Sequence, residues 1–218
     1  MLAAEDCCLI KLGGSLLELP NLTARLAELT HAIQPCTPLL VVGGGTTCDI
    51  VRQWDSVRHF DPVAAHDLAV AAMHLNERLI TTLWPKSRLI ETEEQLQAAA
   101  ADRRGGVVHA ERWLLACGDE MRRRGFPIPM SWDFTSDSIA AWIAIALRIP
   151  RLILAKSTDL CSNQQEPVPT ILRATSAGLV DPCLGGLVNS MAAVDWVNLR
   201  TGPVVIQPWL RSGSPVTS

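Results

Sequence analysis

Short apolar runs alternate along this chain with longer segments in which apolar residues recur every three or four positions. The runs CLIKL (8–12) and PLLVVGG (38–44) are short, and each leads into glycines, which is typical of strands. Between them, four apolar side chains fall at helical spacing: Leu22, Leu26, Leu29 and Ile33. This strand–helix–strand pattern predicts two parallel strands joined by a right-handed crossover.

A long helix is predicted next, over residues 62–84. Four apolar residues at helical spacing are expected to form its core face: Ala64, Leu68, Ala71 and Leu75. The segments RLIET (88–92) and GVVHA (106–110) predict two further strands, because each is a short run with β-branched residues.

Residues 118–134 contain glycine and two prolines within a few positions and are predicted to be rich in loops. Thr135 and Ser136 are typical capping residues and predict the start of a buried helix that runs to residue 149. The later segments predict, in order, a strand, a polar excursion, a helix, two strands and a frayed tail: 151–157, 161–170, 181–194, 195–199, 203–207 and 211–218. No repeat or low-complexity linker interrupts the pattern, so we expect one α/β domain over residues 1–218.

The composition narrows the classes of partner. Of 218 residues, 48% are hydrophobic and 19% charged, which is enough apolar material for a large core. The net charge of −3 provides no basic field for nucleic acid, and a solvated turn accounts for the short basic run 122–124. A small anionic ligand would therefore have to be held by local groups.

The cysteines, the first residues and the apolar stretches of the chain indicate in which cellular compartment the protein resides. The seven cysteines are scattered without a CxxC pair, which favours reduced thiols over disulfides or zinc. Residues 1–6 carry two acids and no basic segment, which argues against secretion. Arg148, Pro150 and Arg151 interrupt the longest apolar stretch, so no membrane span is expected. These features predict a cytoplasmic protein.

Two glycine clusters stand at the ends of the first two predicted strands. One is Gly13-Gly14-Ser15 and the other is Gly43-Gly44-Gly45. A single cluster indicates only a tight turn, but two at equivalent strand ends would share the sheet edge where open α/β sheets bind ligands. Glycines let a backbone approach an anion, and a helix that follows offers unpaired N–H groups.

Two lysines and two aspartates complete the candidate site. Lys11 and Lys156 each end an apolar strand, so both could reach the same sheet edge. An alternative for Lys11 is a lysine that extends to solvent from an edge strand. Asp137, in the first turn of the buried helix, could orient both lysines or simply cap the helix. Asp159 could border a nucleotide or a metal.

This set fits phosphoryl transfer, which needs positioned substrates and cations or amides around the transferred group. No Ser-His-Asp arrangement is visible, and the five histidines do not pair at metal-ligand spacing. No metal site made of protein ligands is therefore predicted.

The order of four motifs resembles the amino acid kinase superfamily. They are IKLGGSLL, LLVVGGGTTCDIVR, TSDSIAAWIA and LILAKSTDL, and they reach from residue 9 to about residue 160. Two more, AHDLAVAAM and SWDFTSDSIAAW, resemble the group that phosphorylates 5-(aminomethyl)furan-3-ylmethyl phosphate in methanofuran biosynthesis. The resemblance implies a three-layer αβα sandwich with a mostly parallel central sheet, an acceptor-side lobe over about 1–130 and a nucleotide-side lobe over about 131–218.

The resemblance also implies a role for each matching residue. Lys11, Asp137 and Lys156 would be catalytic, with Asp137 organising the two lysines. The ATP side would consist of Gly13, Gly14, Ser15, Thr158 and Asp159. The acceptor side would consist of Gly43, Gly44, Gly45 and Arg52, whose guanidinium would meet an acceptor phosphate. Mg²⁺ would arrive bound to ATP, the acceptor would be a small phosphorylated molecule, and the protein would form homo-oligomers.

Two departures from the family pattern keep alternatives open. Leu160 stands where many members have glycine after the aspartate of the nucleotide loop, and LGGLVNSM lacks the lysine of the acetylglutamate kinase motif. The acceptor could instead be a nucleotide or an amino acid. The same fold also serves as a nucleotide-dependent store of oxyanions or metals, although retention of Lys11, Asp137 and Lys156 favours catalysis.

Overall fold

A single seven-stranded sheet forms the centre of the computed structural model, which describes residues 6–85, 87–160 and 169–211. The predicted polar excursion falls largely outside the described residues, as do the tail from residue 212 and residues 1–5. The strands are β1 Cys7–Leu12, β2 Thr37–Val42, β3 Leu89–Ile90, β4 Gly106–Val108, β5 Arg151–Lys156, β6 Ala193–Asn198 and β7 Gln207–Arg211.

The strand order is β3-β4-β2-β1-β5-β6-β7, and every neighbouring pair is parallel except β6 and β7. β1 and β5 are therefore adjacent central strands, with Lys11 in register with Leu154. Lys11 thus lies on a central strand, which excludes the alternative that it extends to solvent from an edge strand. The carboxyl ends of β1, β2 and β5 meet at one sheet edge.

Helices connect the strands and cover both faces of the sheet. They are α1 Leu22–Ala32, α2 Gly45–Arg58, α3 Pro62–Leu83, α4 Glu93–Asp102, α5 Ala110–Arg123, α6 Ser136–Ala146, α7 Ile171–Ser176 and α8 Gly185–Val188. Alternate residues of β1 enter two separate cores: Cys8, Ile10 and Leu12 join α1, whereas Cys7 and Leu9 join α5 and α6. The predicted three-layer α/β sandwich with a mostly parallel sheet is confirmed.

The sequence predicted the wrong core face for one helix and the wrong end for another. In α3 the core face carries Ala65, Val70, Met73 and Ile80, whereas Leu75 is 62% exposed. The helix is apolar on more than one side, so periodicity alone selected the wrong face. Residues 118–123, predicted as loop, are the last turns of α5.

The elements near the C-terminus also lie at positions that differ from those predicted. The final strand lies at Gln207–Arg211 instead of 203–207, where its antiparallel pairing with β6 fixes it. The predicted helix over 181–194 is reduced to a 3-10 turn, Pro182–Leu184, and the short α8. The segment that follows enters β6 two residues earlier than predicted.

Six cysteines lie within the described residues, all as free thiols, and Cys161 lies outside them. Cys7 and Cys8 are buried in β1, as expected of strand residues that pack in the core. Among the described residues, no helix is both long and apolar enough to cross a bilayer.

Candidate active site

The side chains of Lys11, Asp137 and Lys156 meet at the carboxyl edge of the two central strands. Lys11 Nζ lies 3.0 Å from Asp137 Oδ1, and Lys156 Nζ lies 2.7 Å from Asp137 Oδ2. Lys156 Nζ also donates to the carbonyl of Leu179 at 2.7 Å and lies 5.6 Å from the ring centroid of Trp196. One carboxylate thus bridges two lysines that are 145 positions apart in sequence.

Because these charged side chains are largely buried, their pKa values depend strongly on one another. Lys11 and Asp137 are only 5% and 4% exposed. Burial by itself would raise the pKa of Asp137, but the ammonium groups of Lys11 and Lys156 outweigh it and hold that pKa below its ordinary value. Burial, reinforced by the charge of Lys11, lowers the pKa of Lys156 to about 8, although Asp137 opposes the shift. The site therefore contains one carboxylate and two ammonium groups, and its net positive charge favours binding of an anion.

The two glycine clusters are in direct contact. A Cβ atom built on Gly14 would lie 2.1 Å from the backbone nitrogen of Gly45, and one built on Gly43 would lie 2.8 Å from the nitrogen of Gly14. Gly45 also has a positive φ of 50°, a conformation that favours glycine. Glycine is thus required here by close backbone approach, and the two glycine loops form one continuous surface.

Not every glycine amide is available to a ligand. The N–H groups of Gly13 and Gly43 extend the sheet, donating at 2.8 Å to the carbonyls of Ala155 and Leu12. The amide of Gly13, which was predicted on the ATP side, is therefore already used within the sheet. Gly14 and Gly45 donate to no backbone carbonyl of the described residues. Only the second cluster leads directly into an α-helix, because a 3-10 turn, Gly14–Leu16, follows the first.

Asn76 of α3, which the sequence analysis overlooked, anchors the second glycine loop. Its Nδ2 lies 2.9 Å from the carbonyl oxygen of Gly43, 2.7 Å from that of Gly44 and 2.9 Å from Thr47 Oγ1. The side chain is 3% exposed, so these contacts are shielded from water. The only signal in the sequence is a polar residue within a largely apolar helix.

Replacing Asn76 with Ala should lower the free energy of unfolding by about 2 kcal/mol, because buried backbone carbonyls lose their donor. Chemical denaturation would measure this effect. Arg78→Ala, an exposed change on the same helix, is the control and should stay within about 0.5 kcal/mol. Equal stability of the two variants would contradict the anchoring role.

A cavity of about 400 Å³ opens beside the second glycine loop, between α2, α3 and residues 130–139. Its wall is largely apolar and aromatic, with Phe60, Trp132 and Phe134 among the lining side chains. Arg52 also lines it, with its guanidinium carbon 4.8 Å from the Trp132 ring centroid and its Nη1 3.0 Å from Asp49 Oδ1.

Asp55 places a carboxylate on the wall of the same cavity. It accepts hydrogen bonds from Trp132 Nε1 at 2.8 Å and from the Phe60 N–H at 3.0 Å. Among the described residues, no cationic side chain forms an ion pair with it. The cavity therefore presents one guanidinium and one carboxylate within aromatic surroundings.

The predicted nucleotide residues are divided between two places: Gly14 and Ser15 line the 400 Å³ cavity, whereas Asp159 lines another. Ser15 Oγ donates to Ser157 Oγ at 3.0 Å, the Thr158 carbonyl accepts from Trp196 Nε1 at 2.9 Å, and Asp159 Oδ1 accepts from Asn198 Nδ2 at 2.9 Å. A second cavity, of about 520 Å³, is lined in part by Asp159, Trp196 and Asn198.

Leu160, the departure from the family pattern, is 3% exposed and packs in the core on the α6 side. Its side chain therefore has an apolar environment of its own.

A second polar cluster lies behind the glycine loops. Glu77 is fully buried, and its Oε2 lies 3.0 Å from His74 Nδ1 and 3.1 Å from His109 Nδ1. The two imidazole rings stack, with centroids 4.1 Å apart and planes 22° apart. These three residues are candidate metal ligands, because both Nδ1 atoms lie within 3.1 Å of the same Glu77 oxygen, a pairing that the sequence analysis did not predict. The cluster ties α3 to the start of α5, where the Ala110 N–H donates to Glu77 Oε1 at 2.9 Å.

The fold and this set of lysines and glycine loops together define a small-molecule phosphotransferase. A sequence profile of the amino acid kinase family matches residues 6–177, and the chain belongs to that family. No curated protein sequence matches the chain significantly.

Solved structures of uridylate (UMP) kinases share the fold. The enzyme from Archaeoglobus fulgidus has a TM-score of 0.60 at 14% identity, covering 91% of this chain and 97% of its own. The enzyme from Ureaplasma parvum has a TM-score of 0.61 at 15% identity, covering 90% and 91%. The enzyme from Bacillus anthracis has a TM-score of 0.57 at 13% identity, covering 93% and 98%. At these identities the likeness concerns the fold alone.

Proposed function

We propose that this protein transfers the γ-phosphoryl group of ATP to the phosphate of a small phosphomonoester. The observation that carries the proposal is the buried Lys11–Asp137–Lys156 arrangement beside two glycine loops in mutual contact. In the reaction, an oxygen of the acceptor phosphate forms a bond to the γ-phosphorus, the bond to the oxygen bridging the β- and γ-phosphorus atoms breaks, and ADP leaves. The product is a diphosphate.

The protein's own groups would position this reaction and neutralise its charge. Lys11 and Lys156 would face the oxygens of the transferred group from one side, and the amides of Gly14 and Gly45 from the other. Asp137 would keep both ammonium groups in place without taking a proton. Because the reacting phosphates approach across the line where the glycine loops touch, donor and acceptor would be held within reach of each other.

The charges at the site fit magnesium-bound ATP. Two ammonium groups and the amides at the start of α2 suit a polyphosphate. Both oxygens of Asp137 are occupied by lysines, and Asp159 is bonded to Asn198, so Mg²⁺ would be held mainly by the phosphates, which it would help to neutralise.

For the acceptor, we favour 5-(aminomethyl)furan-3-ylmethyl phosphate or a close analogue. The aromatic walls of the 400 Å³ cavity suit a small flat ring. The Asp55 carboxylate suits its ammonium group, and Arg52 suits its phosphate. In this proposal residues up to about 130 provide most of the acceptor side, and residues from 131 onward provide the nucleotide side. A nucleotide acceptor such as UMP is the second candidate, favoured by the fold shared with uridylate kinases.

Self-association is also part of the proposal. Apolar side chains at helical spacing on the surfaces of α2 and α3 are substantially exposed: Ile50, Trp54, Val57, Leu75 and Leu79. Such a patch favours contact with another copy of the chain.

A coupled assay of ADP release tests the function directly. With Mg²⁺ and ATP, we expect turnover with the aminomethylfuran phosphate and little with UMP or with amino acids. Lys11→Ala should reduce kcat by roughly 10²- to 10³-fold, whereas Arg112→Ala, an exposed change on α5, should not. Turnover that survives Lys11→Ala would contradict the mechanism. Tight ATP binding without turnover on any acceptor would instead support a storage protein.

A further inference from the structure

Asp181 lies in the loop before the second 3-10 turn and is 7% exposed. Its Oδ2 accepts hydrogen bonds from the Thr135 N–H at 3.2 Å, from Thr135 Oγ1 at 2.9 Å and from the Ser138 N–H at 2.9 Å. Its Oδ1 accepts from Ser138 Oγ and, at 3.1 Å, from the Leu184 N–H. The side chain of Thr135, predicted to cap α6, instead donates to Asp181, which is the residue that caps this helix.

The same short segment also contacts a lysine of the site. Leu179, two residues before Asp181, accepts the 2.7 Å hydrogen bond from Lys156 Nζ. Asp137 lies in the first turn of α6, between the two positions that Asp181 binds. The segment 179–181 therefore connects the lysine at the end of β5 to the helix that carries the central carboxylate.

We propose that Asp181 is a positioning residue of the active site, which fixes the first turn of α6 and so holds Asp137 between Lys11 and Lys156. The inference rests on the proposed kinase function, because it assigns a role to the support of that same site. Asp181 reaches the transferred group only through Asp137 and Lys156. A side chain 43 residues from Ser138 in sequence would thus determine how accurately the lysines meet the phosphates.

The charge of Asp181 adds an electrostatic contribution. The charged groups acting on Lys156 are Lys11, Asp137 and Asp181, and the Trp196 ring lies against its ammonium. Burial and Lys11 lower the pKa of Lys156, whereas Asp137 and Asp181 both raise it. Removing the Asp181 charge should therefore shift loss of the Lys156 proton to a lower pH.

Asp181→Asn provides the main test, because one side of an amide cannot accept the hydrogen bonds that the carboxylate accepts. We expect kcat to fall by about 10- to 100-fold, with smaller changes in KM for ATP and acceptor. The alkaline limb of the pH–rate profile should move to lower pH. Ser138→Ala, which removes one of these bonds and leaves the charge, should lower kcat by a few-fold without moving the limb.

Asp195→Asn is the matched control. Asp195 is also buried, at 0% exposed against 7% for Asp181, but it pairs with Arg151 and Arg211. Ile153, its partner in register, lies three residues before Lys156 along β5. Both aspartate variants should lose stability, but only Asp181→Asn should change kcat per folded molecule and the pH profile. Identical kinetics in the two variants, or an unmoved alkaline limb in Asp181→Asn, would overturn the inference. If Asp181→Asn does not fold, unchanged kcat in Ser138→Ala would overturn it.

Binding of ATP measured by calorimetry across pH separates this inference from the proposed function. If the wild-type protein binds ATP but phosphorylates no acceptor, the proposed function fails. In that case the positioning role is still supported if ATP affinity falls at a lower pH in Asp181→Asn than in the wild type. It is overturned if the two binding profiles coincide.

Discussion

Replacing Asp137 with Asn should reduce kcat by roughly 10²- to 10³-fold while the fold is retained. Among the residues that the structure describes, this carboxylate alone pairs with both Lys11 and Lys156, at 3.0 and 2.7 Å. Without its charge, two buried ammonium groups lose their partner and repel each other. The free energy of unfolding should fall by about 3 kcal/mol in the absence of nucleotide.

Nucleotide should partly reverse that loss of stability. The phosphates of ATP would supply the missing negative charge, so ATP should raise the melting temperature of the variant more than that of the wild type. Thermal denaturation with and without magnesium-bound ATP measures this difference, and Asp195→Asn is again the control. If ATP stabilised Asp137→Asn no more than Asp195→Asn, phosphate binding next to the two lysines would be ruled out.

Gly14→Ala should also be strongly damaging, for a steric reason. A Cβ there would lie 2.1 Å from the nitrogen and 2.4 Å from the Cα of Gly45, both backbone atoms that cannot rotate away. The two loops would have to separate by about 1 Å or more, and a displacement of that size costs on the order of 10²-fold in rate. Overpacking should also lower stability by about 1–3 kcal/mol.

Gly118→Ala is the matched control for this substitution. Gly118 lies inside α5, and a Cβ there would meet nothing within 4 Å. Alanine should therefore stabilise the helix by about 0.5–1 kcal/mol and leave turnover unchanged. Steady-state kinetics and denaturation of both variants test the comparison. A Gly14→Ala enzyme with wild-type kcat would show that contact between the loops is dispensable.

The central part of the fold was predictable because its signals are local. Each of β1, β2 and β5 is a short apolar run that ends in glycine or lysine. Parallel strands bring such ends to one edge, so the convergence of Lys11 and Lys156 followed from topology. Asp137 was identified because it begins the buried helix that packs beside those strands.

The residues that hold the site in place were not predictable, because their role depends on contacts between segments distant in sequence. Asn76 and Asp181 stand in sequence contexts that indicate only a helix and a turn, and their partners lie 29–33 and 43–46 residues away. The prediction of the core face of α3 was wrong for a related reason. Apolar residues occur on more than one side of it, so packing against the sheet decides which side is buried.

The buried cysteines of the core have a consequence for the chemical durability of the protein. Burial is the main reason that the pKa values of Cys7 and Cys48 rise to about 11 and that of Cys8 to about 12. At neutral pH, a thiol with a pKa near 11 is ionised in only about one molecule in 10⁴, and the thiolate is the form that reacts with electrophiles and oxidants. Cys48 lines the 400 Å³ cavity, where its thiol donates to the Ala69 carbonyl and should resist oxidation.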